Sequence, residues 1–293
     1  GDEIGVAGRF FHTGAPVVLW LDPGGYDAYR VECRFDPDQA LATGSGAETT
    51  PNRYGTFRKH VPPEDLARVR ESGWDLEILR RHVDQFVLHY AVCGTSRRCF
   101  EILQDKRGLS VHFMLDLDGT IYQTLDAKER AWHAGTANDR SVGVEIANIG
   151  AYPDLDVLGE WYGKDAAGRT RVILPESMGD GGIRTPGFVG RPARAEPIRG
   201  RLQGRDLIQY DFTEEQYESL ARLAATLSRA LPGIVLECPR DAGGAPRDRS
   251  FTAEELAAFR GVLGHYHVTE KKVDPGPALD WERFLDRARA LAE

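Results

Sequence analysis

Residues 84–92 of the chain read DQFVLHYAV, a run of strand length that is rich in β-forming side chains. A short apolar run of this kind is typical of a buried β-strand. His89 stands near its end, directly after three apolar side chains. We therefore predict a core strand that carries a histidine close to its carboxyl end.

The next segments along the chain extend the strand pattern. Residues 110–123 read SVHFMLDLDGTIYQ, in which Asp118-Gly119 separates two β-like runs and predicts a hairpin. Residues 142–147 read VGVEIA and alternate, which puts the branched apolar side chains on one face and Glu145 on the other. An acid on an otherwise apolar strand indicates a special role.

Helix signals follow after residue 210. Thr213 and Gln216 form a capping box before an amphipathic run that ends at Pro232. A second box at Thr252 opens a shorter helix, which we expect to continue toward Leu263. A last helix is predicted at about residues 280–292.

Two regions lie outside this pattern. Residues 1–70 mix short β-like runs with turn residues and are interpreted as an N-terminal extension or small subdomain. Residues 71–293 then form the main domain, with an insertion at about 150–210 that is rich in Gly, Pro and Arg. Loops of that length are usually functional or disordered.

Composition excludes several classes of protein. The formal charge of −8 and the pI near 5.6 argue against a nucleic-acid partner, because phosphate binding needs a basic surface. No run approaches the roughly 20 apolar residues of a transmembrane helix. Four cysteines do not make a disulfide scaffold in a chain of this length. Cys93 and Cys99 are spaced for a local bridge, and two reduced thiols fit the sequence equally well.

Histidines and one acid in separate parts of the chain are the candidate metal ligands. His89 ends a strand, His265 and His267 lie in a predicted loop, and Asp274 follows in the run KKVDPGP at residues 271–277. Three protein ligands plus a water molecule are typical of catalytic zinc sites. The residues alone leave open which of these side chains meet.

The residues of these segments, and the order in which the segments occur, resemble those of a known family. The chain resembles the type 2 N-acetylmuramoyl-L-alanine amidases, which include the peptidoglycan recognition proteins and phage amidase lysozymes. The resemblance covers residues 84–150 and 210–283, about half of the chain. Its motifs are FVLH at 86–89, SVHFMLD at 110–116 with DGTIYQ at 118–123, WHAG at 132–135, SVGVE at 141–145, and GH at 264–265 with KVDPGP at 272–277.

The resemblance implies a fold and a set of roles. The fold is α/β, with a mixed central sheet flanked by helices and a zinc site at one edge. By this resemblance, Zn²⁺ is expected to be held by His89, His265 and Asp274. Glu145 acts as the general base toward water, and Lys272 donates to the oxyanion of the tetrahedral intermediate.

Further residues follow from the same resemblance. Trp132 and His133 match a family segment near the metal and are candidates for substrate binding. The sequence adds Asn148 as a third candidate, for which a turn role at the end of its strand is an equally good interpretation. The chain departs from the family pattern in one place, because the loop from His265 to Asp274 is one residue shorter than in many members. His267 stands where a polar residue is common, and it is therefore a rival ligand.

The implied function is zinc-dependent hydrolysis of the amide bond between N-acetylmuramic acid and L-alanine, in peptidoglycan or in muropeptides. A complete ligand set with Glu145 favours this enzyme over the first alternative, a non-catalytic peptidoglycan-binding protein. The absence of an HExxH motif argues against the commonest form of the second, a zinc peptidase acting on stem peptides. Because wall polymer lies outside the cytoplasm, we expect a periplasmic or secreted protein.

Overall fold

The computed structural model describes residues 1–31 and 53–293, in which a central β-sheet is covered by helices. In chain order the strands of these residues are β1 (Glu3–Val6), β2 (Arg9–His12), β3 (Val17–Leu19), β4 (Tyr54–Gly55), β5 (Gln85–Tyr90), β6 (Phe113–Leu115), β7 (Ile121–Gln123), β8 (Arg130–Ala131), β9 (Ser141–Ile146), β10 (Tyr162–Lys164), β11 (Thr170–Val172), β12 (Ile198–Leu202), β13 (Arg205–Gln209) and β14 (Gly261–Gly264). The α-helices are α1 (Pro63–Ser72), α2 (Leu76–His82), α3 (Ser96–Phe100), α4 (Asp156–Trp161), α5 (Glu214–Ala230), α6 (Ala253–Ala258), α7 (His265–Val268) and α8 (Trp281–Ala292).

The central sheet has the strand order β14-β5-β9-β6-β7-β3 within the described residues. β14, β5, β9 and β6 run parallel to one another. β7 returns antiparallel to β6 across the predicted Asp118-Gly119 turn and pairs in parallel with β3. The sheet is therefore mixed, and the predicted α/β fold class is confirmed.

The two faces of the sheet carry different side chains, because successive strand residues point to opposite sides. On β5, Phe86 and Leu88 belong to the main apolar core with α5 and α8, whereas Val87 packs in a separate cluster with Leu263. His89 follows Val87 at a spacing of two residues. It therefore shares the face that the large helices leave open.

Helix α5 forms where the capping box predicted it. The Thr213 hydroxyl accepts a hydrogen bond from the backbone N–H of Gln216, and the Gln216 side chain accepts one from the backbone N–H of Thr213. The helix buries Leu220, Leu223 and Leu227 in the main core. Each such side chain contributes about 1.5–3 kcal/mol through removal from water. No helix of the described residues combines the length and apolar character that a membrane span needs.

The segment after Thr252 differs from its predicted course. The capping box forms, but α6 ends at Ala258, and the chain then enters β14 instead of continuing as a helix toward Leu263. Four residues are too few for a recognisable strand pattern, and their pairing with β5 is what makes them a strand. The helix predicted at 280–292 is confirmed as α8.

The division of the chain at residue 70 stays a prediction, since it falls partly on residues 32–52, which lie outside the described part. The described N-terminal residues pack on the main sheet: β3 forms one edge of it. Arg58 is buried and donates hydrogen bonds to four backbone carbonyls of the segment 127–141. The segment at 150–210 forms α4 and two small hairpins, β10–β11 and β12–β13.

A carboxyl group stands at the start of the Asp118-Gly119 turn without full hydrogen bonding. Asp116 is completely buried, and its Oδ1 accepts from the backbone N–H groups of Ser96 and Leu117. Its Oδ2 has no hydrogen-bond partner among the described residues. Burial raises the pKa of Asp116 from 3.8 to about 7.

This pKa predicts a pH-dependent loss of stability. Between pH 4 and pH 7 the folded chain keeps a proton on Asp116 that the unfolded chain has released, so this carboxyl lowers the free energy of unfolding as the pH rises. Asp116→Asn removes that effect. We expect the variant to gain about 2–3 kcal/mol relative to wild type between pH 5 and pH 8, at about 1.4 kcal/mol for each pKa unit.

Urea unfolding of both proteins at pH 5 and pH 8 measures this gain. Glu254→Gln, which removes an exposed carboxyl on α6, is the matched control and should leave the pH dependence unchanged. Stability curves of wild type and Asp116→Asn that stay parallel over this range would contradict the prediction.

Candidate metal centre

Three parts of the fold deliver the candidate ligands to one point. His89 lies at the carboxyl end of β5, His265 begins α7 directly after β14, and Asp274 follows in the next loop. Because β14 and β5 are parallel neighbours, with Gly264 opposite Leu88, the residues that follow them emerge at the same edge of the sheet. All three side chains are buried.

The ligand atoms form a nearly equilateral triangle. Nδ1 of His89 lies 3.0 Å from Nδ1 of His265 and 2.9 Å from Oδ2 of Asp274, and the third edge is 3.0 Å. Zn²⁺ at 2.0–2.1 Å from tetrahedral N and O ligands has ligand-to-ligand edges of about 3.3 Å. The triangle thus needs to open by only a few tenths of an ångström, and two imidazoles with one carboxylate suit zinc. Within the described residues it is the only cluster of His, Cys, Asp and Glu that fits a metal ion.

The electrostatics of the cluster favour a cation. Burial, and then the neighbouring His265, lower the pKa of His89 to about 4, so its ring is neutral at physiological pH. Burial on its own would raise the pKa of Asp274, but hydrogen bonds with His265 and His89 outweigh it and lower that pKa. A neutral ring on His89 and an ionised carboxylate on Asp274 are the protonation states in which these two groups bind a metal.

The rival ligand His267 lies outside this triangle. Its Nδ1 accepts a hydrogen bond from the backbone N–H of Gly264, and its Nε2 contacts the carbonyl oxygen of Arg247 at 3.0 Å. Both ring nitrogens of His267 therefore form hydrogen bonds with the backbone. His267 fixes the turn that presents His265.

A cavity of about 430 Å³ opens over the metal cluster. Glu145 lines it from β9, directly opposite His89 in the register of the sheet. Lys272 lines it from the loop two residues before Asp274 and is exposed. The structure thus gathers the five residues that were predicted to carry catalysis and metal binding around one cleft.

Glu145 has the features of a group that faces a ligand. Its Oε2 is buried and has no hydrogen-bond partner among the described residues. Burial raises the pKa of its carboxyl well above the usual value, and the charge of Asp274 adds to this, while Lys272 and Arg107 act in the opposite direction. This free oxygen is available to a molecule in the cleft.

The three residues predicted to contact substrate occupy different places. Trp132 and His133 line the cleft. Asn148 lies outside the residues that line it: its Oδ1 accepts from the backbone N–H of Gly150 and from Nε2 of Gln209, and its Nδ2 donates to the carbonyl of Tyr210. Its hydrogen bonds thus lie within the protein.

The insertion supports the ligand loop through two glutamines, a contact pair that we name the glutamine clasp. Gln203 Nε2 donates to the carbonyl oxygens of Tyr266 and Thr269, at 2.6 and 3.2 Å. Gln209 Nε2 donates to the carbonyl of Pro275, and its Oε1 accepts from the N–H of Ala278. The clasp therefore holds the backbone on both sides of Lys272 and Asp274.

Arg107 lines the cleft near Glu145 and carried no signal in the sequence. Cys93 and Cys99, which the sequence left as either a bridge or two reduced thiols, are free thiols in the wall of the cleft. Cys93 also borders a second cavity of about 630 Å³, which the insertion closes with Trp161 and Met178. An isolated arginine has no spacing in the sequence that would mark it as part of a site.

The fold and the cluster define a class of protein: a mixed-sheet α/β protein with a buried His-His-Asp site at the edge of the sheet where its parallel strands end. The sequence model of one family, described as N-acetylmuramoyl-L-alanine amidase, matches residues 79–277. The match spans more than half of the chain, and the chain belongs to this family.

Individual relatives are distant. The 1,6-anhydro-N-acetylmuramyl-L-alanine amidase AmpD of Salmonella typhimurium is 23% identical over 177 residues, which are 60% of this chain and 55% of that protein. AmpD of Haemophilus influenzae is 22% identical over 182 residues, or 62% of this chain and 59% of that protein. The chain thus spans a little over half the length of the curated relatives it matches.

The solved structures that the chain resembles are also distant in sequence. A selenomethionine derivative of AmpD has 20% identity and a TM-score of 0.37, covering 87% of this chain and all of that one. AmiD of E. coli, in complex with the substrate anhydro-N-acetylmuramic acid-L-Ala-D-γ-Glu-L-Lys, has 19% identity and a TM-score of 0.38 over 70% of this chain and 57% of that one. The identification rests on the family match.

The geometry predicts one zinc ion per chain. We expect His265→Ala and Asp274→Ala each to weaken zinc binding by more than about 100-fold, because loss of a ligand should exceed the roughly 10–100-fold effect of outer-shell changes. Competition with a coloured chelator gives the affinities, and elemental analysis after gel filtration gives the stoichiometry.

His12→Ala is the control for the ligand variants, because His12 is exposed and is not among the residues that line the cleft. His267→Gln tests the rival ligand and should retain tight binding. Wild-type affinity in either ligand variant, or loss of zinc only in His267→Gln, would overturn the assignment.

Proposed function

We propose that this protein is a zinc-dependent amidase that hydrolyses the bond between N-acetylmuramic acid and L-alanine in peptidoglycan or its soluble fragments. The observation that carries this proposal is the convergence of a His-His-Asp cluster with the unpartnered oxygen of Glu145 in one cleft. Family membership supports the reaction type. The names of the relatives AmpD and AmiD support anhydro-muropeptides as a substrate form.

Charge supports an anionic substrate. Arg107, Lys271 and Lys272 line the cleft, and all three are exposed. No hydrogen bond or ion pair of their side chains occurs with the described residues. Muropeptide stems carry carboxylates, which such cations attract without the cost of breaking an existing pair.

Zinc held by His89, His265 and Asp274 would supply Lewis acidity, which lowers the pKa of water toward about 7 and polarises a carbonyl oxygen. Glu145 takes the proton of the attacking water through its free carboxylate oxygen. As the carbon–nitrogen bond breaks, the same carboxyl returns this proton to the leaving amino group of L-alanine. The water oxygen ends in the new carboxylate of the lactyl group of muramic acid.

Lys272 has a separate role in this scheme. Its ammonium group is close enough to the site to influence the pKa values of His89 and Glu145. A positive charge at this position stabilises the negative charge that develops on the carbonyl oxygen in the transition state. Because that charge is absent in the ground state, Lys272 acts on turnover more than on binding.

A non-catalytic binding protein is the main alternative. It would need neither a complete ligand set nor a buried carboxylate without a partner, because an unsatisfied buried oxygen costs about 1–3 kcal/mol and is retained where a function requires it. The site therefore favours an enzyme. A location outside the cytoplasm remains a proposal, based on where wall polymer lies.

The decisive experiment is mass spectrometry of peptides released from purified peptidoglycan and from soluble anhydro-muropeptides. We expect release of stems that begin with L-alanine, loss of this release with a chelator, and its return with added zinc. Glu145→Gln keeps the shape of the side chain but cannot accept the proton, and should lower kcat by about 100-fold or more with zinc still bound.

Two outcomes would contradict the proposal. Retention of the zinc-loaded protein on peptidoglycan without release of peptide would favour a binding protein. Release of fragments cut between amino acids would favour a peptidase. Full activity of Glu145→Gln would remove Glu145 from the mechanism without removing the amidase.

Lys272→Met tests the oxyanion role. We expect kcat to fall by about 10²–10³-fold, as for loss of an oxyanion donor, with KM changed by less than about threefold. Lys271→Met is the matched comparison: it removes a neighbouring cleft cation that we assign to substrate attraction, so it should change KM and leave kcat near the wild-type value. A large rise in KM at constant kcat would assign Lys272 to substrate binding instead.

A further inference from the structure

The outer nitrogen of the metal ligand His89 is bonded to a second histidine. His89 Nε2 lies 3.0 Å from Nδ1 of His133, and the two rings are nearly perpendicular, with an interplanar angle of 82°. On its far side, His133 Nε2 lies 3.2 Å from Oγ of Ser141. The three side chains form a single chain of hydrogen bonds that begins at the metal cluster.

Proton positions along this chain follow from the first member. The Nδ1 atom of His89 belongs to the ligand triangle, so a metal there leaves the proton of the neutral ring on Nε2, which must donate. His133 Nδ1 is then the acceptor, and the His133 proton sits on Nε2, where it points to Ser141. Only one arrangement of protons satisfies both contacts.

We propose that His133 is a positioning residue, which fixes the tautomer and ring orientation of His89 through Nδ1 and is itself fixed by Ser141. Partners of this kind set the direction and basicity of a metal-bound imidazole. The inference rests on the proposed function only for the metal, and it does not depend on the identity of the substrate.

The surroundings of His133 hold its ring in place. The backbone N–H groups of His133 and Ala134 both donate to Oδ1 of Asn138, at 3.2 and 2.6 Å. The ring lies over Gly143, where an added Cβ would meet Nδ1 at 2.5 Å. Glycine at that position of β9 leaves the space that the ring occupies.

This role differs from the substrate contact expected from the sequence. His133 lines the cleft, but each of its ring nitrogens already has a partner inside the protein. A substrate hydrogen bond to the ring would have to displace Ser141 or His89. The geometry therefore assigns the ring to the metal ligand.

Two amide variants separate this role from simple packing. In His133→Asn the amide oxygen can occupy the place of Nδ1 and accept from His89, whereas in His133→Gln the amide group extends toward the place of Nε2. We expect the glutamine variant to bind zinc about 10–100-fold more weakly than wild type, and the asparagine variant to retain most of the affinity.

The readouts are zinc affinity by chelator competition and the visible absorption spectrum of the cobalt-substituted protein, which reports ligand orientation. We expect the spectrum to change in His133→Gln and to be restored in His133→Asn. Thermal unfolding of the metal-free variants serves as the control for folding, because a purely structural role would lower the midpoint in both and would not favour asparagine.

Equal zinc affinities and wild-type cobalt spectra in the two variants would overturn the proposal, as would a loss of affinity that asparagine does not restore. These measurements use the metal alone. Absence of amidase activity in the wild-type protein would therefore count against the proposed function and leave this inference standing.

Discussion

The parallel pairing of β5 with β14 on one side and β9 on the other is the constraint on which the site depends. Parallel strands end at the same edge of a sheet, so His89, the residue after β14 and Glu145 on β9 meet there although long stretches of chain connect the three strands. The large helices α5 and α8 pack on the opposite face and leave this one free. Side chains alternate between the two faces of these strands, so one face forms the apolar core and the other provides residues that line the cleft.

The fold class could largely be predicted from the sequence, and so could the set of residues that the structure brings together at the candidate site. The apolar run at 84–92, the Asp118-Gly119 turn and the capping box at Thr213 are local signals, and the structure contains the elements that they predict. The ligand set followed from a resemblance in which several short motifs keep their order. Its members proved to be neighbours in space, although 176 residues separate His89 from His265.

The parts that escaped prediction depend on contacts between distant segments. β14 is four residues long and becomes a strand only through its pairing with β5, so no local pattern distinguished it from the end of α6. The hydrogen bond between His133 and His89 can be recognised only in the three-dimensional structure. The same is true of Gly143, which leaves space for the His133 ring. Asn148 was expected near substrate, whereas its hydrogen bonds join it to Gln209 and the backbone.

The long separation of the ligands has a consequence for biosynthesis. His89 precedes Asp274 by 185 residues, and the glutamine clasp that steadies the loop around Asp274 comes from the hairpin between them. At about 5–20 residues per second, a ribosome needs roughly 10–40 s to pass from one ligand to the other. The three members of the cluster therefore cannot come together on the ribosome until Asp274 has been synthesised.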